Sequence, residues 1–153
     1  MKGAAPDTRA VRRALEEAVL EVLETMCFEF PVDEPFLGGP PEAGAVLAVA
    51  RFDGSARGRL SVALAGQAAP RLAAAFLGLE EDQIGGPEVL AMASELANML
   101  CGATLSRLEP RGRLRIATPE AGRGGAPCSG QDWLHFPLEQ GAVAATLEWE
   151  EEA

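Results

Sequence analysis

Cysteine is scarce in this chain: Cys27, Cys101 and Cys128 are the three present, and none stands in a C-x-x-C spacing. An odd number so spaced argues against a disulfide framework or a structural zinc site, and predicts buried free thiols. Histidine occurs once, as His135, within a strand-like pattern that points to a structural role. Positive charge is short as well. Lys and Arg number 13 against 23 Asp and Glu, a formal net charge of −10. A nucleic-acid phosphate backbone would repel such a chain, so nucleic acid is not an expected partner. No uninterrupted apolar run reaches the ~18 residues of a bilayer-crossing helix. The N-terminus has basic residues but lacks the apolar stretch of a secretory signal. The expectation is a cytoplasmic protein with no membrane contact. Residues 122–130 are Gly-rich but contain no Gly-Lys-Ser/Thr, and read as a loop rather than a phosphate cradle. No Ser/His/Asp, metal-ligand or nucleotide constellation appears, which disfavours an unrelated small-ligand enzyme.

What the chain does have is apolar residues, at 48% of 153, enough for one compact domain over residues 1–153 with a real core. Its organising stretch is Pro87 to Leu108, read as one helix. Pro87 suits the first helical position, where its missing N–H would be unpaired anyway, and Gly85-Gly86 break what precedes. At 100° per residue, Leu90, Ala93, Leu96, Ala97, Leu100, Cys101, Thr104 and Leu108 share an arc, the expected core face. Glu95, Asn98, Gly102 and Ser106 lie opposite, with Ala91 one turn before Glu95 and Met92 and Met99 on the flanks. A carboxylate and an amide at i, i+3 stand side by side on that outer face. The rest of it is small, so Ala91, Met99 and Gly102 are where another protein's surface would approach.

The remaining elements follow from periodicity and breakers. Asp7 or Thr8 caps a first helix reaching about Cys27, and Phe28–Val32 alternates like a short strand. A Pro/Gly-rich loop, Asp33 to Gly44, precedes strands Ala45–Phe52 and Arg59–Ala65, joined by the turn formers of residues 53–58. Gln67–Leu77 is a short helix closed by Gly78. Strands follow at Arg113–Thr118, Trp133–Leu138 and Ala142–Trp149, with Pro137 confined to an edge or a bulge. The fold class is α+β, the long helices packed on an antiparallel sheet.

The two halves rhyme. Residues 21–28, Glu-Val-Leu-Glu-Thr-Met-Cys-Phe, align with residues 95–102, Glu-Leu-Ala-Asn-Met-Leu-Cys-Gly. An internal duplication follows, α-β-β-β twice, with halves of about residues 8–66 and 87–149 linked by the short helix. Only the second half keeps the carboxylate-plus-amide pair, since Glu24 stands where the second has Asn98.

With Glu95-x-x-Asn98 in a long helix, Gly102 four residues on, the strand Leu114–Thr118 ending at Pro119, and the duplicated order, the chain resembles a known family. It is similar to the CheX group of the CheC/CheX/FliY chemotaxis phosphatases, over most of its length. The resemblance implies removal of the phosphoryl group from the aspartate of a CheY-like response regulator. It implies that Asn98 orients the attacking water and that Glu95 docks against the regulator's active-site lysine. It also implies a homodimer with one such pair per chain. Magnesium would belong to the partner regulator, with no metal or other cofactor of the chain's own. The chain departs from relatives of the CheC type at Ala91, where many carry Asp or Ser, and also at Glu120 and in the Gly-rich loop.

The chemistry fits those residue types. An aspartyl phosphate is a mixed anhydride with a good leaving group, so what is missing is a water held in line with phosphorus. An amide can accept from that water and donate toward it, as a glutamine does in small GTPases. A carboxylate there would set negative charge against the phosphoryl group, so the Glu24 face is expected to be dead. Glu24→Asn would restore a weak second site if the first helix is equally exposed. The competing reading is a docking module of the flagellar-switch type that binds a regulator without catalysis.

Overall fold

Residues 6–123 and 132–150 are described in a computed structural model. Helix α1 spans Thr8–Cys27, begun by the Asp7 carboxylate, which accepts from the Arg9 N–H at 3.3 Å. Leu15, Ala18, Val19, Val22 and Cys27 follow the i, i+3, i+4, i+7 spacing of one helix face, with Cys27 a further turn on, and share its buried side. The helix stops because Phe28 turns left-handed at φ 55°, and its N–H and that of Glu29 both return to the Leu23 carbonyl. The strand expected at Phe28–Val32 is therefore absent. Alternation misled there. Phe28, Phe30 and Val32 face solvent, and the polar member Glu29 is the buried one, bound by Arg71 Nε at 3.2 Å. A strand does form within the expected loop: β1 is Phe36–Gly38.

Strands β2 (Val46–Gly54) and β3 (Arg57–Ala65) form a longer hairpin than expected, leaving only Ser55-Ala56 as the turn. Gly54 permits it. Its φ is 125°, and a Cβ there would sit 2.1 Å from the Arg113 carbonyl oxygen. Helix α2 is Ala68–Leu77, closed by Gly78 at φ 70° as expected. After a 3₁₀ turn at Glu81–Gln83 comes α3, Gly86–Leu108, with Pro87 in its first turn. The Glu88 side chain reaches back to accept from the Gly85 N–H at 2.8 Å. Strands β4 (Leu114–Ile116), β5 (Glu120–Arg123), β6 (Trp133–Pro137) and β7 (Ala142–Glu150) complete the chain. The strand expected over Arg113–Thr118 is thus shorter, and β5 was not anticipated.

Among the described residues all seven strands join one sheet in the order β1-β6-β7-β3-β2-β4, with β5 also on β2, and every pairing is antiparallel. The order has a two-fold pattern about the β7–β3 pair. Each half lends its first strand to the other half's hairpin, β1 to β6 and β4/β5 to β2. This is the arrangement of two repeated α-β-β-β halves. It also means that β2 is not an edge strand, since β3 pairs on one side of it and β4 and β5 on the other. Pro137 lies at the end of β6, beyond the reach of the three-residue β1, where its missing N–H costs no ladder bond on that side.

The helices cover one face of the sheet. Leu60, Val62 and Leu64 from β3, Leu134 and Phe136 from β6, and Val143, Ala145 and Leu147 from β7 alternate into the core beneath them. Ala63, Trp133 and Ala144 form a second, smaller cluster on the other face. Among the described residues, α3 is the one helix long and apolar enough to cross a membrane by length and composition. Its apolar side is used in the core of this fold. Glu95, Asn98 and the small polar residues interrupt its apolar run while leaving its mean hydropathy high.

Candidate functional site

Helix α3 buries Val89, Met92, Ala93, Leu96, Ala97, Leu100, Cys101, Thr104 and Leu105. The buried arc is wider than the single stripe read from the sequence, because α1, α2 and the sheet all pack on this helix. Met92, placed at the flank of the outer face by periodicity, is 1% exposed and belongs to the core. Leu90 and Leu108 are half-buried at the rim, as is Met99. What remains outside is narrow. Ala91, Glu95 and Ser106 are exposed, and Asn98 and Gly102 are half-buried.

Glu95 and Asn98 therefore stand together on the solvent side of a rigid element, with Leu96 and Ala97 anchoring the same turn at 0% exposure. Among the described residues neither side chain has a hydrogen-bond or ion-pair partner. Their polar ends are committed to nothing inside the chain. The bareness around them is not an internal packing need. A Cβ on Gly102 would come no closer than 3.8 Å to the Ile116 Cδ1, an ordinary contact. A flat, thinly covered helix face suits a macromolecular surface better than a small ligand, which prefers a concavity. A cavity of about 290 Å³ lies elsewhere, lined by Ala63, Ala144, His135 and Gly141 among others, with neither Glu95 nor Asn98 among its walls.

The corresponding face of α1 differs. Glu24 is exposed, but Glu21 is bound by Arg107 Nη2 from the last turn of α3. Arg107 Nε also lies 3.6 Å from Glu17 Oε1, and its Nη1 donates to the Ala103 carbonyl at 2.9 Å. Arg107 is the residue that reading by periodicity missed. Its only sequence signal is a cation in the last turn of a helix, which that helix's own dipole explains equally well.

His135 is structural. Its ring stacks on Phe36 with centroids 5.1 Å apart, and Nε2–H donates to the Gly39 carbonyl at 2.8 Å, tying down β1. The thiols of Cys27 and Cys101 are buried and free. Burial pushes Cys27 up to about 11, with the Glu29 charge adding, and pushes Cys101 up to about 12. Neither is a nucleophile near neutral pH. Cys128 and residues 124–130 of the Gly-rich loop lie outside the described residues. Among the described residues no three His, Cys, Asp or Glu side chains could together hold a metal ion.

The sequence of residues 46–131, more than half of the chain, matches the family model described as chemotaxis phosphatase CheX. The chain belongs to the CheX family. Solved structures of the same fold agree. A CheX chemotaxis protein from Desulfovibrio desulfuricans superposes with a TM-score of 0.73 at 24% identity, covering 92% of this chain and 99% of that one. CheX in the CheX–CheY–BeF3–Mg2+ complex from Borrelia burgdorferi gives 0.72 at 18% identity, covering 92% and 98%. The FliM middle domain from Vibrio alginolyticus gives 0.61 at 9% identity, covering 94% of each chain. No curated protein matches the sequence.

Proposed function

We propose that this CheX-family chain dephosphorylates the aspartyl phosphate of a CheY-like response regulator, using Asn98 to orient the attacking water and Glu95 to dock on the regulator's lysine. The observation that carries this reading is the pair itself. The amide and the carboxylate stand one turn apart on a rigid, bare helix face with no partner inside the chain. An unengaged carboxylate is free to meet an incoming cation. An amide held by a buried turn can fix a water in line with phosphorus, where positioning is worth up to about 7–11 kcal/mol in favourable cases. The relative from Borrelia burgdorferi was crystallised with CheY, beryllium fluoride and magnesium, which supports a regulator as the partner. On this reading the protein works in the cytoplasm, where response regulators are.

The test is loss of phosphate from a panel of phosphorylated receiver domains. A catalyst clears an excess of one receiver, whereas a panel left at its spontaneous rates would sink the proposal. Glu95→Ala is expected to raise the chain concentration needed for half-maximal acceleration by ten-fold or more, with the saturated rate much less affected. Truncating one partner of a charge pair desolvated on docking costs about 2–5 kcal/mol, mostly in the off-rate. An unchanged concentration dependence would remove Glu95 from the interface.

The second reading is a regulator-docking module without catalysis, built on the fold that this chain shares with the FliM middle domain. It predicts stoichiometric binding of the activated receiver and no change in phosphate lifetime. We also assign the chain as a homodimer. The support is its family and a run of exposed apolar side chains beside the short edge strand β1: Phe28, Phe30, Val32, Phe36 and Leu37. β2 offers no such edge, because β4 and β5 cover it. Light scattering at tens of micromolar should give about twice the 16.0 kDa of one chain. A monomer mass would rule the dimer out.

A further inference from the structure

Glu21 holds in α1 the register that Glu95 holds in α3, yet the two carboxylates meet opposite surroundings. Arg107 binds Glu21 and sits near Glu17, and its third contact, to the Ala103 carbonyl, fixes the guanidinium to α3's own backbone. Among the described residues nothing of the kind reaches Glu95. α1 ends at Cys27, the register of Cys101, whereas α3 runs on to Leu108, so the first half has no helical turn at the place of Arg107. The two-fold pattern of the fold is therefore broken at this position, with a cation from α3 set on Glu21 and no matching turn of α1 to supply one to Glu95.

We infer that Arg107 closes the first-half helix to receivers, holding from within the chain the carboxylate that would otherwise take a receiver's lysine. This rests on the proposed function and adds to it a residue that sets one docking site per chain. A lysine arriving at Glu21 would have to displace a guanidinium already anchored at three points. Any lysine that failed to displace it would sit beside a second cation. Exclusion at α1 thus has two separate parts. Arg107 blocks docking, and Glu24 denies the water its amide. On this inference Glu24→Asn alone gives no second site, because exposure of Glu24 does not free Glu21.

The experiment uses the full chain and the receiver whose phosphate loss the wild type accelerates most. Calorimetric titration with that receiver, activated by beryllium fluoride and Mg2+, should give one receiver per chain for wild type and for Glu24→Asn. Arg107→Gln should add a second, weaker binding event, and Glu21→Ala in the Arg107→Gln background should remove it. In an Asn98→Ala background, Glu24→Asn combined with Arg107→Gln should raise phosphate loss several-fold above the spontaneous rate, while Glu24→Asn alone leaves it there. Arg107→Met, which keeps the aliphatic stem, serves as the second variant if Gln loosens the last turn of α3. A single binding event in both Arg107 variants overturns the inference, as does activity from Glu24→Asn without an Arg107 change, and each leaves the proposed function standing. A wild type that binds no receiver overturns both.

Discussion

Asn98→Ala is expected to return the decay of the phosphorylated receiver to near its spontaneous rate while the protein stays folded and still binds. The side chain is half-buried, has no hydrogen-bond partner among the described residues, and sits outside the core arc. Its removal should therefore shift stability by no more than about 0.5 kcal/mol, as for most surface changes. The kinetic effect is of another size. A misplaced reacting group can lose about 100-fold in rate, and each 1.36 kcal/mol of lost barrier lowering is tenfold. Removing the amide removes the positioning altogether, so a loss of at least about 100-fold is the expected outcome. The measurement is single-turnover decay of phosphorylated receiver at saturating wild type and variant, with melting curves for both. Equal acceleration by the two would show that Asn98 does not handle the water, even if binding to the receiver is real.

Leu96→Ala should do the reverse, costing stability and sparing the chemistry of each folded molecule. Leu96 is 0% exposed and lies between Glu95 and Asn98 in sequence, on the opposite side of the same turn. It packs into the common core beneath α3, where α1, α2 and the sheet leave little freedom to collapse around a void. Truncating such a leucine costs about 3–4 kcal/mol, the transfer term plus the cavity. For a chain of this size that lowers Tm by roughly 6–16 °C. Thermal melts would give the shift, and turnover normalised to the folded fraction well below Tm should stay near wild type. A change in Tm under about 2 °C would mean that the turn is not held from below as described. The pair Asn98→Ala and Leu96→Ala thus separates positioning of a group from support of the helix that carries it.

Much of the candidate site was legible because it rests on one helix and one period. A carboxylate and an amide three residues apart, opposite a stripe of Leu and Ala, must face outward together whatever the helix packs on. Gly78 as a left-handed stop and Asp7 as a cap were legible for the same local reason. Phe28–Val32 was not. Alternation records which side chains share a side, not which side is wet, and there the apolar members face water while Glu29 pairs with Arg71. Met92 went astray similarly, since a periodic stripe has no width until its neighbours are known.

The sequence alone determined the α+β class, the repeated order of elements, the long helix and the outward Glu95–Asn98 pair, all of them consequences of spacing within a few residues. Only the tertiary structure decided that β4 and β5 cross to β2 and remove its edge, that α3 is enclosed on three sides, and that Arg107 takes Glu21. Each of those depends on residues far apart in the chain meeting across the two-fold pattern of the sheet. No period or cap encodes such a meeting, because both copies of the repeat present the same local pattern. The difference between them lies in which long side chain arrives from the other half.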